Sequence, residues 1–168
     1  MRLRPAEAAD LEFLTALYGH DDVRPYLAAA RSYDREEILG RIERAEREPD
    51  AGGIVVVEVE GKRAGAMAWE RVNQRSRIAS LSGVAVHPDF RGRRLADEAA
   101  RALQRELILE RGFHRLQLEI YGFNERAQRH AERSGFVREG VKRKAYRHGD
   151  GWVDGILYAV VAEDLDAE

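Results

Sequence analysis

The sequence predicts an α/β domain built on a mixed sheet of about seven strands. Three observations lead there. Strand-type and helix-type patterns alternate along the chain in the order β-α-α-β-β-β-α-β-α-β-β. A central stretch, Leu81 to Ala96, runs from an apolar strand through a proline turn and a cationic loop into an Ala-rich helix. The chain has 168 residues with no repeat, linker or low-complexity segment, which suits a single domain over 1–168.

Each element follows from its local pattern. Arg2 to Arg4 reads as a short strand ended by Pro5. Leu11, Leu14, Leu17 and Tyr18 recur at helical spacing. Asp34 caps a second helix with Ile38, Leu39, Ile42 and Ala45 on one face, closed before Pro49. Ile54 to Val59 is a β-branched strand, and Glu60-Gly61-Lys62 turns it back into Ala64 to Trp69. Ile78 to Val86 is the next strand. Arg93 to Arg111 carries Leu95, Ala99, Leu103 and Leu107 in helical register, and Gly112 ends it. His114 to Tyr121 alternates as a strand, and Glu125 to Arg133 is a short helix stopped at Ser134-Gly135. Two strands, from Phe136 and over Trp152 to Val161, close the chain through His148-Gly149-Asp150-Gly151. A strand–helix–strand crossover within this order is parallel and right-handed.

Composition narrows the class. A net charge of −2 does not point to nucleic acid or an anionic membrane. There is no cysteine, so disulfide scaffolds, thiol nucleophiles and thiolate metal sites are excluded. No uncharged apolar run reaches the roughly 20 residues that span a bilayer. Met1-Arg2-Leu3-Arg4-Pro5 lacks the apolar core of a signal peptide. The expectation is an intracellular, cytoplasmic protein without a metal.

The central stretch places a helix N-terminus, its free N–H groups and Arg91, Arg93 and Arg94 at one point, with Gly92 in the turn. Amides at a helix start and a positive dipole end suit a phosphate. Leu95 and Ala96 keep that helix start apolar and small. A solvated Arg-rich turn is the alternative on these residues alone.

The spacing resembles the acyl-CoA signature of the GCN5-related N-acetyltransferase (GNAT) family, Gln/Arg-x-x-Gly-x-Gly/Ala after a strand ending in Val-x-Pro. Arg91 stands at its first position, Ala96 at its last, and Arg94 in the usual glycine slot. A second block, Asn124 to Ala127 and then Gly135-Phe136, is similar to the family's other CoA-contacting segment. Asp22 to Leu27, Glu139-Gly140 and Gly151 to Val161 resemble the ribosomal-protein and spermidine acetyltransferase branch. The resemblance implies a mostly antiparallel central sheet with helices on both faces, acetyl-CoA as cosubstrate and an amine acceptor; the last two strands could also pair across a homodimer, which nothing in the sequence requires. It also implies cofactor contacts at Val84, Ala85, Val86, Arg91, Gly92, Arg93, Arg94, Leu95, Ala96, Asn124 and Ala131.

Family members transfer acetyl by direct attack of a neutral amine. That requires polarisation of the thioester carbonyl, which the resemblance assigns to main-chain N–H groups at Val84 to Val86. It also requires a base and a proton for the leaving thiolate. Where relatives carry a Tyr or Ser for that proton, this chain has Ala131 and Ala127. Tyr146 is the candidate catalytic residue in their place, with strand packing as its alternative. His130 lies about 100° round the helix from Ala131 and reads as a surface residue or a catalytic one. Ser80 or Ser82 stands where relatives have a strand Glu, which leaves Glu70 and Glu119 as water-orienting carboxylates. Asp21, Asp22, Glu36 and Glu37 read as helix-face charges, or as attraction for a cationic acceptor. The missing hydroxyls keep a non-catalytic acyl-CoA-binding or sensing module open as the rival function.

Overall fold

The computed structural model describes residues 1–27 and 32–165. Its strands form a seven-stranded sheet in the order β1-β2-β3-β4-β5-β7-β6. They are β1 (Arg2–Pro5), β2 (Gly52–Val59), β3 (Lys62–Asn73), β4 (Ile78–Val86), β5 (Arg115–Tyr121), β6 (Val137–His148) and β7 (Gly151–Val161). The helices are α1 (Leu11–Gly19), α2 (Arg35–Arg47), α3 (Leu95–Arg105), α4 (Glu125–Arg133) and a last turn, α5 (Ala162–Leu165). The expected order of elements is observed. Every neighbouring pair of strands is antiparallel except β4 and β5, which α3 connects as a parallel pair.

Two cores explain why β2 and β3 read as apolar without interruption. Ile54 and Val56, with Ala66 and Ala68, pack under Leu11, Leu14, Ile38 and Ile42 of α1 and α2. Val55 and Val57, with Met67 and Trp69, pack on the opposite face with Leu95, Leu103 and Leu107. Successive strand residues point to opposite faces, so a strand covered on both sides has no polar alternate.

The long helix expected over 93–111 is shorter at its start. Arg94 is the N-cap, with φ 54° and ψ 22°, so the helix begins at Leu95. After Arg105 the coil widens to a π-turn over Glu106–Glu110, closed by the Arg111 N–H donating to the Glu106 carbonyl at 3.0 Å. Leu107 and Ile108 are both buried there.

Candidate functional site

β4 and β5 pair only at Ile78 with Arg115, Ala79 with Leu116 and Ser80 with Gln117. Beyond Ser80 each stays with its other neighbour, β4 with β3 to Val86 and β5 with β7 to Tyr121. The two strands therefore part, and a cavity of about 400 Å³ lies in the opening. Leu81 to Val86 form one wall and Leu118, Glu119 and Ile120 the other, with the start of α3 and one face of α4 completing it.

β4 carries a bulge in that wall. Ala66 faces Ala85 and Ala68 faces Ser82, so Met67 opposes both Gly83 and Val84. Gly83 sits at φ +60°, and a Cβ there would come within 2.7 Å of the Tyr33 hydroxyl and 3.0 Å of the Tyr18 hydroxyl. The Tyr18 hydroxyl donates to the Gly83 carbonyl at 2.9 Å, and the Tyr33 hydroxyl to Ser82 Oγ at 3.0 Å. Those tyrosines hold the bulge from the α1–α2 side. A bulge re-aims main-chain groups away from the ladder, which suits Val84 to present a donor to a ligand; Ala85 and Val86 stay in register with Ala66 and Gly65 of β3, so the bulge does not free them.

The turn after β4 explains the glycine slot in the signature. Arg94 occupies it in the left-handed region, which costs a non-glycine residue about 1–2 kcal/mol. Gly92 precedes it at φ +79°. Arg91, Gly92, Arg94, Leu95 and Ala96 line the cavity; Arg93 is exposed and outside the lining. Arg91 is already engaged. Its Nε donates to the Val86 carbonyl at 3.2 Å and its Nη1 to Asp22 Oδ2 at 2.9 Å. Asp22 is thus an ion-pair partner of the turn, not the plain helix-face charge expected.

Asn124 caps α4, its Oδ1 accepting from the Ala127 N–H at 3.2 Å. The residue is buried yet lines the cavity, and its Nδ2 has no partner among the described residues. That donor is available to a ligand. Ala127 and Ala131 line the same face, so no hydroxyl projects from these two positions. Asp97, in the first turn of α3, ties the two cavity helices together. Its buried carboxylate accepts from Arg133 Nε at 2.7 Å and lies 2.6 Å from His130 Nδ1. The Arg133 hydrogen bond leads the lowering of its pKa to about 2. His130 is accordingly a cross-helix partner of Asp97 rather than a free surface side chain.

Tyr146 lies behind the β5 wall rather than in the cavity lining. Its hydroxyl donates to Glu119 Oε2, and Lys142 Nζ holds Glu119 Oε1. Burial first, and then the Glu119 hydrogen bond, push the Tyr146 phenol above its ordinary pKa, so it is protonated at neutral pH. Gly155 on β7 makes room for that ring: a Cβ there would meet Tyr146 Cε2 at 2.7 Å. Glu119 itself lines the cavity. Glu70 pairs with Arg44 at 3.6 Å and is not in the lining. Sequence reasoning read Tyr18 only as part of a helix face and did not single out Asp97 or Tyr33; the partners of Asp97, Tyr18 and Tyr33 lie 36, 65 and 49 residues away.

A sequence model of the Acetyltransferase (GNAT) domain matches residues 1–137. The chain belongs to the GNAT family of acyltransferases. A curated relative, the SPbeta prophage-derived uncharacterized N-acetyltransferase YokL of Bacillus subtilis (strain 168), is 29% identical over 83 residues. That match spans 49% of the GNAT chain and 47% of the relative, about half the length of each. The fold of the GNAT chain is that of the Vibrio cholerae spermidine N-acetyltransferase solved with CoA and spermine: TM-score 0.82, 20% identity, covering 97% of this chain and 96% of that one. It is also that of RimL, a ribosomal L7/L12 alpha-N-protein acetyltransferase, with TM-score 0.82, 18% identity and coverage of 95% and 88%. No helix of the described GNAT residues is long and apolar enough to cross a membrane.

Proposed function

We propose that this chain is an acetyl-CoA-dependent N-acetyltransferase, working as one domain, that transfers acetyl to a primary amine by direct attack. The observation that carries the reading is one gap holding three features: a bulged strand on one wall, an arginine-rich turn with a left-handed cap at its end, and opposite them the Nδ2 of Asn124, which has no partner among the described residues. Membership of the acetyltransferase family and the shared fold support it.

Acetyl-CoA, when bound, supplies the acyl thioester that the amine attacks. The α3 N-terminal amides, Arg91 and Arg94 take its phosphates, because these are the cations and free donors at that end. Val84, at the bulge, and Val86, where β5 has parted from β4, orient the acyl arm through main-chain groups, and Ala85 lines the same wall. Asn124 donates from the α4 side, and Ala127 and Ala131 leave the arm room. Glu119 accepts the ammonium proton, directly or through a water, and Tyr146 and Lys142 hold that carboxylate in place. The Tyr33–Ser82 hydroxyl pair, beside the bulge, is the proton source that replaces the hydroxyl absent at Ala127 and Ala131.

The charges of the gap favour an acceptor with a single ammonium, such as a peptide N-terminus or an amino acid, over a polyamine. Each carboxylate lining it already has a cation: Asp22 has Arg91, Asp97 has Arg133, and Glu119 has Lys142. Arg94 and Arg126 add positive charge to the same lining. A polycation therefore gains little there.

The test is release of free thiol from acetyl-CoA with a panel of peptides, amino acids and spermidine. Thiol release with an amine supports the enzyme. Binding of acetyl-CoA without release by any amine supports the rival sensing module. Absence of CoA binding overturns both.

A further inference from the structure

The ion pair between Arg91 and Asp22 is the end of a longer bridge. The segment from Asp22 to Leu27 runs across the opening between β4 and β5 and is anchored on both sides of it. On the β4 side, Asp22 Oδ2 accepts from Arg91 Nη1 at 2.9 Å. On the β5 side, the Tyr26 ring lies 6.1 Å from that of Phe123, and the Arg126 guanidinium sits 6.0 Å above Tyr26. His148 Nε2, at the β6–β7 hairpin, lies 3.3 Å from the Pro25 carbonyl oxygen. Asp22, Val23, Tyr26 and Leu27 all face the cavity.

The two anchors differ in kind. The β5 anchor is aromatic packing with the Arg126 guanidinium over the Tyr26 ring and a main-chain contact, and it contains no carboxylate. The β4 anchor is a carboxylate on the first arginine of the phosphate turn. Arg91 has its Nε on the Val86 carbonyl and its Nη1 on Asp22. A phosphate arriving at this guanidinium meets a carboxylate in its place, and two anions sharing one half-buried arginine repel.

We propose that Asp22 competes with the phosphates of an acyl-CoA for Arg91, so that cofactor binding frees Asp22 and releases the β4 end of the strap that walls the acceptor's approach. This rests on the acetyl-CoA reading above and adds a coupling to it. Asp22 is a positioning residue: it sets where the strap lies when the phosphate turn is empty and gives way when it is filled. By linkage, loosening the β4 anchor strengthens cofactor binding as much as cofactor binding loosens the anchor.

The test is calorimetric titration of CoA into the whole chain as wild type, Asp22→Asn, Arg91→Gln and the double variant, at low and high salt. Asp22 is exposed, so its variant keeps the fold, which circular dichroism checks. At low salt Asp22→Asn binds CoA about threefold tighter, the scale of an exposed ion pair. High salt shrinks the gain. Arg91→Gln weakens binding, and adding Asp22→Asn to it changes nothing further. Amide hydrogen exchange supplies a second reading: CoA speeds exchange at Asp22, Val23 and Arg24 in the wild type and leaves it unchanged in Asp22→Asn, where it is fast already. Equal or weaker CoA binding by Asp22→Asn overturns the proposal, as does slower exchange of these amides on CoA addition. A wild type that does not bind CoA overturns the acetyl-CoA reading and the coupling together; a wild type that binds, with an inert Asp22 variant, overturns the coupling alone.

Discussion

On the β4 side of the gap the working groups are placed by backbone shape, a bulge and a capped turn; on the β5 side they are side chains held by one another. The β4 wall presents a bulge at Gly83 and Val84, then a turn whose cap, Arg94, is left-handed. The β5 wall presents Glu119, which depends on Tyr146 and Lys142 of β6. The first kind of site needs only a few residues in sequence to make the chain bend. The second needs strands that the topology brings together from 23 and 27 residues away. The difference predicts that reshaping the β4 bulge damages fold and cofactor binding together, whereas loss of Glu119 slows turnover and spares binding.

The largest effect is expected at Gly83. Gly83→Ala puts a Cβ into a left-handed position and into the Tyr33 and Tyr18 hydroxyls. Backbone strain and overpacking together cost about 3 kcal/mol. Denaturant unfolding measures the loss, and CoA affinity should fall with it. An unchanged midpoint would mean that the bulge is not held by those tyrosines.

Next comes Glu119. Glu119→Gln should lower kcat by on the order of a hundredfold with CoA affinity unchanged, the range for loss of a positioned base. Tyr146→Phe should lower it by less, because Lys142 still holds the carboxylate. Equal kcat for Glu119→Gln and wild type would move the base off the β5 side.

Asp97 joins the two sides, since it fixes α3 to α4. Its pKa is lowered from 3.8 to about 2, chiefly by Arg133. An acid with a depressed folded pKa stabilises the fold above its unfolded pKa and loses that contribution as pH falls through the folded one. The loss therefore falls between about pH 4 and pH 2 and amounts to about 2 kcal/mol. Asp97→Asn should remove a similar amount at neutral pH and flatten that part of the stability–pH curve. A variant as acid-sensitive as the wild type would place the sensitivity elsewhere, with Asp10 the next candidate because Arg4 and Arg63 hold its buried carboxyl well below the usual range.

The smallest effect has the opposite sign. Arg94→Gly relieves a left-handed residue and should stabilise the turn by up to about 1 kcal/mol, less the entropy glycine adds to the unfolded chain. CoA should bind that variant more weakly at low salt, because a guanidinium is gone. Tighter binding would mean that Arg94 contributes only strain.

The same division explains what could be read from the sequence. The strands, the helices and the phosphate turn are local patterns, and spacing from Arg91 to Ala96 carried the turn. The left-handed state of Arg94 had one signal, its place in a glycine slot, but the helix read from Arg93 onward put Arg94 inside the helix instead of at its cap. Asn124 was legible as a cap and as part of a block. Tyr146 was legible as a strand aromatic, but its place behind Glu119 depends on β7 lying between β5 and β6 in the sheet. Asp97, Tyr18 and Tyr33 were not legible, since each finds its partner across elements that only the fold brings near. Asp22 looked like a solvated charge because its partner lies 69 residues away.

Amide chemical-shift mapping on addition of CoA tests whether the gap is the cofactor site. The largest changes are expected at Gly83 to Val86, at Arg91 to Ala96 and at the Asn124 side chain, both sides of one gap responding together. Changes confined to the exposed face of β6, or no change at all at saturating CoA, would contradict it.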